Sequence, residues 1–171
     1  MERFQKYYLS LLFFAVYSQI SAQTNCSIYT DENCRKACEI SNQAADSQGY
    51  SLSQLTFDKV IESCPNFDEA YAEKSVPYLK RGDFVTWKVL IDKAVELNPK
   101  MHLGYRAWCR YQFLRDYKGA IRDFDELEKF YPGNLGYSKN GDYHLYVAKA
   151  MCYSALNQKD KAVQTLEIFF K

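Results

Sequence analysis

Proline and histidine are scarce in this chain, with four and two residues among 171, and neither sign of charge is in surplus. The shortage of histidine leaves little from which to build a metal centre, which needs three or four ligands, or a nucleophile–base pair. Basic and acidic residues number 22 and 21, and the first 22 residues carry Arg3 and Lys6 against Glu2, so the remainder is neutral. Nucleic-acid binding requires a basic stripe that neutralises phosphates, and none is present. Long apolar runs are also missing. The best, Tyr7 to Ile20, centres on Leu9, Leu11, Leu12, Phe13, Phe14, Ala15 and Val16, short of the ~20 residues that cross a bilayer.

That run has a different meaning. Arg3 and Lys6 precede it, and Ile20-Ser21-Ala22 offers small residues before Gln23, the layout of a secretory signal peptide. Residues 1–22 are therefore predicted to be removed on export to a periplasmic or secreted location, with no stable membrane insertion afterwards. A retained signal anchor is the other reading. A lipid anchor on Cys26 is disfavoured, because Gln23-Thr24-Asn25 is polar. Six cysteines follow the leader (Cys26, Cys34, Cys38, Cys64, Cys109, Cys152), and an even number in an exported chain suggests disulfides. Cys34 and Cys38 are separated by three residues, not the two of a redox pair or zinc knuckle.

The few prolines are regularly placed. Pro65, Pro99 and Pro132 lie 34 and 33 residues apart, a period that marks a solenoid of helical hairpins. A template recurs with them: Ser41, Ala44, Ser53, Val60, Pro65; then Ser75, Tyr78, Trp87, Ala94, Pro99; then Trp108, Tyr111, Ala120, Leu127, Pro132; then Ala150, Tyr153, Ala162, Phe169. Small residues let two antiparallel helices approach, aromatic and aliphatic residues fill the space between hairpins, and proline stops the second helix. Helix pairs are predicted near 34–47 and 52–63, 68–81 and 84–97, 102–115 and 118–130, and 143–156 and 159–170. Asn66-x-x-Glu69 and Ser51-x-x-Gln54 look like capping boxes, and Gly82-Asp83 ends one helix and starts the next.

Tyr71…Ser75-Val76-Pro77-Tyr78…Gly82-Asp83-Phe84…Ala94-Val95-Glu96-Leu97-Asn98-Pro99 resembles the tetratricopeptide repeat, as does Asp116-Tyr117-Lys118-Gly119-Ala120-Ile121…Tyr131-Pro132. The resemblance covers roughly 34–171 and is strongest in the two middle units. It implies an all-α, right-handed α-solenoid of about four antiparallel hairpins, with units near 34–67, 68–101, 102–134 and 143–171 after a tail at 23–33. Trp87, Trp108 and the helix-interior Pro77 depart from the family's pattern. So does an insertion at 135–142, Leu-Gly-Tyr-Ser-Lys-Asn-Gly-Asp, where Gly136, Asn140 and Gly141 indicate a flexible loop.

The hairpin brings Cys34, opening the first helix, towards Cys64, closing the second, so a Cys34–Cys64 bridge is the best-supported pairing. Cys26 could join Cys38 if the tail folds back. Cys109 and Cys152 either pair or sit as small buried hydrophobes.

In repeats of this type the first helices line a concave groove, which assigns Glu69, Ala72 and Val76, then His102, Tyr105, Arg106 and Gln112, then His144 and Val147 to partner binding. Glu69, His102 and His144 occupy equivalent repeat positions and form an expected ladder, but helices ~8–10 Å apart are marginal for sharing one ion. No metal, cofactor or catalytic residue is predicted. The Lys and Asn of the chaperone-binding carboxylate clamp are absent, since the matching positions include Glu69, Glu73, Val76, His102 and Cys109. The expected function is that of a non-catalytic scaffold binding a protein or peptide outside the cytoplasm. The alternative is an assembly subunit that oligomerises or docks through Val163, Leu166, Phe169 and Phe170 of the last helix.

Overall fold

A computed structural model describes residues 24–139 and 141–170. The segment 1–22 expected to be a signal peptide, Asn140 of the insertion and Lys171 lie outside the described residues. After a short 3-10 turn at Cys26–Ile28 come α1 (Glu32–Ala45), α2 (Ser51–Ser63), α3 (Asp68–Lys80), α4 (Phe84–Leu97), α5 (Pro99–Cys109), α6 (Tyr117–Phe130), α7 (Leu145–Ala155) and α8 (Lys159–Phe169). α5 runs directly into a π-helical turn at Arg110–Leu114. The fold is an all-α, solenoid-like stack of four hairpins, α1–α2, α3–α4, α5–α6 and α7–α8.

Local signals account for most helix ends. Asp31, Asp83 and Asp116 accept hydrogen bonds from the amides of Cys34, Thr86 and Gly119 at 2.8, 3.1 and 2.9 Å, capping α1, α4 and α6. Such caps typically contribute ~1 kcal/mol each. Hairpin corners turn on left-handed residues at equivalent template positions, Gly82 (φ 83°), Arg115 (φ 53°) and Asn157 (φ 57°).

The two expected capping boxes do not form. α2 follows Tyr50 and α3 follows Phe67, neither with a side-chain cap. Gln54 Nε2 instead donates to the Gln48 carbonyl at 2.8 Å. Phe67 is fully buried and meets Tyr29 edge-on at 5.4 Å, so packing rather than Asn66 sets the start of α3. Pro77 is buried within α3, which continues to Lys80.

Each core is shared between successive hairpins. Ala37, Cys38, Phe57 and Val60 of the first pack with Ala70 of α3. Ala72, Leu79, Trp87, Ile91 and Ala94 pack with Cys109 of α5. Val95 of α4 joins Leu103, Ala107, Phe124 and Leu127, together with Leu135, Leu145 and Tyr146. Among the described residues no hairpin completes its own core. Trp87, at a template position where alanine stands in later units, is 1 % exposed.

Cys34 and Cys64 lie at disulfide distance with Cα atoms 5.0 Å apart, and so do Cys26 and Cys38 at 5.6 Å; Cys109 and Cys152 are buried free thiols. The first bridge ties the ends of the opening hairpin across a 30-residue separation. The tail therefore does fold back onto α1, where Asn42 also holds Thr24 through both its amide and its carbonyl, at 3.1 and 2.9 Å.

A polar knot stiffens the third hairpin. Asp123 of α6 receives Arg106 Nε and Nη2 at 3.0 and 2.7 Å and Arg110 Nη1 at 2.9 Å, while Arg106 Nη1 reaches Asp92 of α4 at 2.8 Å. Burial works against the Arg106 charge, but Asp123 and Asp92 outweigh it and raise its pKa.

Two stability predictions follow from these ties. Replacing the first bridge, C34A/C64A, should lower unfolding free energy by about 3.5 kcal/mol through the restored freedom of the loop, read by urea denaturation; an unchanged midpoint would contradict the cross-link. D123N takes the shared carboxylate from two half-buried guanidiniums, of which Arg106 keeps Asp92, and should cost about 3 kcal/mol, the lower end for breaking a buried pair. A loss below about 1 kcal/mol, the scale of an exposed pair, would show that the knot is solvated.

Candidate functional site

α3 carries two carboxylates and a valine on one stripe, Glu69, Glu73 and Val76, at spacings of four and three residues. Residues so spaced lie one above another on a helix face. α5 sets Tyr105 opposite them, and Trp108 stacks beside Tyr105 at 6.3 Å with Phe113 edge-on to Trp108 at 5.4 Å. Two hollows open on this inner face. One, of about 220 Å³, is lined by Glu69, Met101, His102, Tyr105, Tyr137 and Lys139 among others. The second, of about 430 Å³, is lined by Gln48, Glu73, Val76, Tyr105, Trp108, Phe113 and Lys139 among others. Tyr105 and Lys139 belong to both.

Lys139 comes from the insertion. The described residues of that segment form a short hydrogen-bonded strap, where a flexible loop was expected. Tyr137 and His144 form an antiparallel bridge; Ser138 N donates to Tyr143 O at 3.0 Å and Leu145 N to Gly136 O at 2.8 Å. Gly136 (φ 73°) and Gly141 (φ 74°) supply the left-handed backbone that the turn requires. Trp108 Nε1 donates to the Tyr143 hydroxyl, fastening the strap's root to α5. The strap then reaches back across the inner face. Lys139 Nζ lies 2.9 Å from Glu73 Oε1, 3.6 Å from Glu69 Oε1 and 5.4 Å from the centre of the Tyr105 ring.

The surrounding charges are individually engaged. Gln48 Nε2 donates to Glu73 Oε2 at 2.5 Å, and Glu69 Oε2 is 3.8 Å from His102 Nε2. His102 Nε2 is also 2.7 Å from Asp68 Oδ2. Burial pushes Glu69 up; Lys139 and His102 oppose this while Glu73 and Asp68 add to it, and the carboxyl stays above its usual range. Burial works against the Lys139 charge, yet Glu73 and Glu69 hold the ammonium above its ordinary value. Asp68 resists burial through its hydrogen bond to His102 and titrates lower than usual. The Cys109 and Cys152 thiols are pushed up to about 12, chiefly by burial.

The residues expected in the groove divide sharply. Glu69, Val76, His102 and Tyr105 line the hollows, although His102 is only 4 % exposed and turned to Asp68. Ala72 is in the core, not the groove, because it packs with Trp87 and Ile91 of α4. Arg106 is drawn away by Asp92 and Asp123 of the second helices. Gln112 is exposed on the π-helical turn, and Val147 is half-buried on α7; neither lines a hollow.

His144 is not on the ladder. The strap delays α7, so His144 becomes its N-cap, accepting the Tyr146 amide on Nδ1 at 3.3 Å beneath Phe169 at 4.7 Å. Of the apolar residues expected at the last helix, Val163 and Phe170 are exposed, while Leu166 and Phe169 are half-buried.

Sequence reasoning placed Glu73 on the groove face without assigning it to partner binding, and missed Lys139. A signal existed for both. Lys139 is the one basic residue in the insertion, and Glu69 and Glu73 form an acidic pair one helical turn apart.

A family model described as tetratricopeptide repeat matches residues 146–171, essentially the α7–α8 hairpin. The two middle units, which carry Pro77, Trp87 and Trp108, fall outside that match. No curated protein and no solved structure matches the chain. The matched hairpin, together with a stack of four helical hairpins, supports a relationship to the tetratricopeptide repeat proteins, whose repeats suggest a scaffold for protein interaction.

Proposed function

We propose that this chain is a non-catalytic scaffold that holds a protein or peptide partner along its inner face, outside the cytoplasm. The observation that carries the reading is the pair of hollows between α3, α5 and the strap. They combine apolar and aromatic walls (Val76, Phe113, Trp108, Tyr137) with fixed polar groups (Glu69, Glu73, Gln48), the mixture that lets a groove take up side chains and orient them. Two cysteine pairs at disulfide distance suit an oxidising compartment such as the periplasm or the cell exterior. Among the described residues no helix is long and apolar enough to cross a membrane.

A second reading is self-association or docking through α8. It is favoured by the exposure of Val163, Ile168 and Phe170, at 56, 43 and 79 %. Light scattering separates the two, since self-association through α8 requires a mass that rises with concentration and falls back with F170S.

Site-specific photo-crosslinking tests the groove. A benzophenone amino acid at Val76 or Tyr137 should capture the partner in the native cell at least tenfold more efficiently than one at Val85. Val85 is 78 % exposed on α4 and lines neither hollow. Equal capture from all three positions would refute groove binding. The same preparation, denatured without reductant, should titrate two thiols of six and begin at Gln23; six thiols would refute export, and an intact leader would refute cleavage in favour of a retained anchor.

A further inference from the structure

The groove already holds a cation, and the cation is the chain's own. Glu69 and Glu73 are like charges one turn apart on α3, an arrangement that repels unless something positive lies between them. Their side chains are only 20 and 14 % exposed, so water screens that repulsion poorly. Each carboxylate has one oxygen turned to a fixed neighbour, Glu73 Oε2 to Gln48 and Glu69 Oε2 towards His102. The two Oε1 atoms both face Lys139 Nζ, at 2.9 and 3.6 Å, above the face of Tyr105. Two preset oxygens and an aromatic face make a cage for an ammonium or guanidinium group.

Lys139 is a weakly committed occupant. It sits near the tip of the strap, its side chain 48 % exposed, while the strap is anchored elsewhere, by Leu135 in the core and by Tyr143 on Trp108. Its withdrawal would break the contacts within the cage, leave the strap on its other anchors alone, and free space in both hollows, which Lys139 lines.

We infer that the Glu69–Glu73–Tyr105 cage is a binding site for a lysine or arginine side chain of a partner peptide, and that Lys139 is an intramolecular stand-in which that side chain displaces. The inference rests on the groove reading above and adds to it the partner's chemistry, a basic residue flanked by groups that enter the hollows. An acidic segment would meet two carboxylates once Lys139 left, and the charge complementarity selects against it.

The test uses Nα-acetyl-lysine N-methylamide as the probe, titrated into 15N-labelled protein. Amide shifts on α3 and α5 are followed in the wild type, in K139A and in E69Q/E73Q/K139A. An intramolecular occupant that fills the cage about nine-tenths of the time lowers apparent affinity about tenfold; on the proposal that Lys139 is that occupant, K139A should bind the probe about tenfold tighter than the wild type. The triple variant and the uncharged norleucine analogue should show no binding. K139A binding no tighter than wild type, or the norleucine analogue binding equally, overturns the inference.

K139Q, which keeps a polar side chain, should give the same gain and serves if K139A does not fold. Failure of the probe while crosslinking from Val76 persists overturns the cage alone and leaves groove binding standing. Failure of both overturns the two together.

Discussion

A helical hairpin of some thirty residues has two apolar sides and only one partner helix of its own, so its second side must be covered by a neighbour. Every core in this chain obeys that constraint. Ala70 of α3 completes the first, Cys109 of α5 the second, and Leu145 and Tyr146 of α7 the third. Small residues at the crossing points, Ser41, Ser75 and Ala150, keep the paired helices close. The hollows follow from that stacking, because it sets α3 and α5 of successive hairpins on either side of them.

The departures from the repeat compensate one another. Trp108 replaces a small residue and cannot be buried as Ser75 and Ala150 are. It extends over Tyr105 and Phe113 and bonds to Tyr143 at the root of the strap. The insertion thus gives the oversized side chain a partner. The side chain in turn holds the strap where Lys139 meets Glu69 and Glu73. Two irregularities that look independent along the chain form one device across the groove.

Most of the architecture was legible in the sequence because it depends on short-range regularity. Proline spacing, small residues and Gly82-Asp83 locate the eight helices, and the hairpin geometry brings Cys34 to Cys64. What stayed hidden depends on which way a side chain turns. Arg106 lies at a groove position by register, but Asp92 and Asp123 draw it between helices. His144 matches His102 by spacing, yet an insertion just before it converts a helix-face residue into a cap. Phe67 overrides a plausible cap at Asn66 because burying a phenyl ring, ~1.5–3 kcal/mol, outweighs a capping bond of ~1 kcal/mol. Lys139 was present as the lone cation of the insertion, but a periodic template has no register for an inserted segment.

The central claim is that the two α3 carboxylates, through Lys139, add to the anchors at Leu135 and Tyr143 and steady the strap across the groove. Hydrogen exchange of the Ser138 and Leu145 amides, which bond to Tyr143 and Gly136 within the strap, measures it most directly. In E69Q/E73Q these two amides should exchange at least severalfold faster than in the wild type, with the amides of α4 and α6 unchanged. Unaltered protection at Ser138 and Leu145 would contradict the account, because the strap would then owe nothing to the groove it crosses.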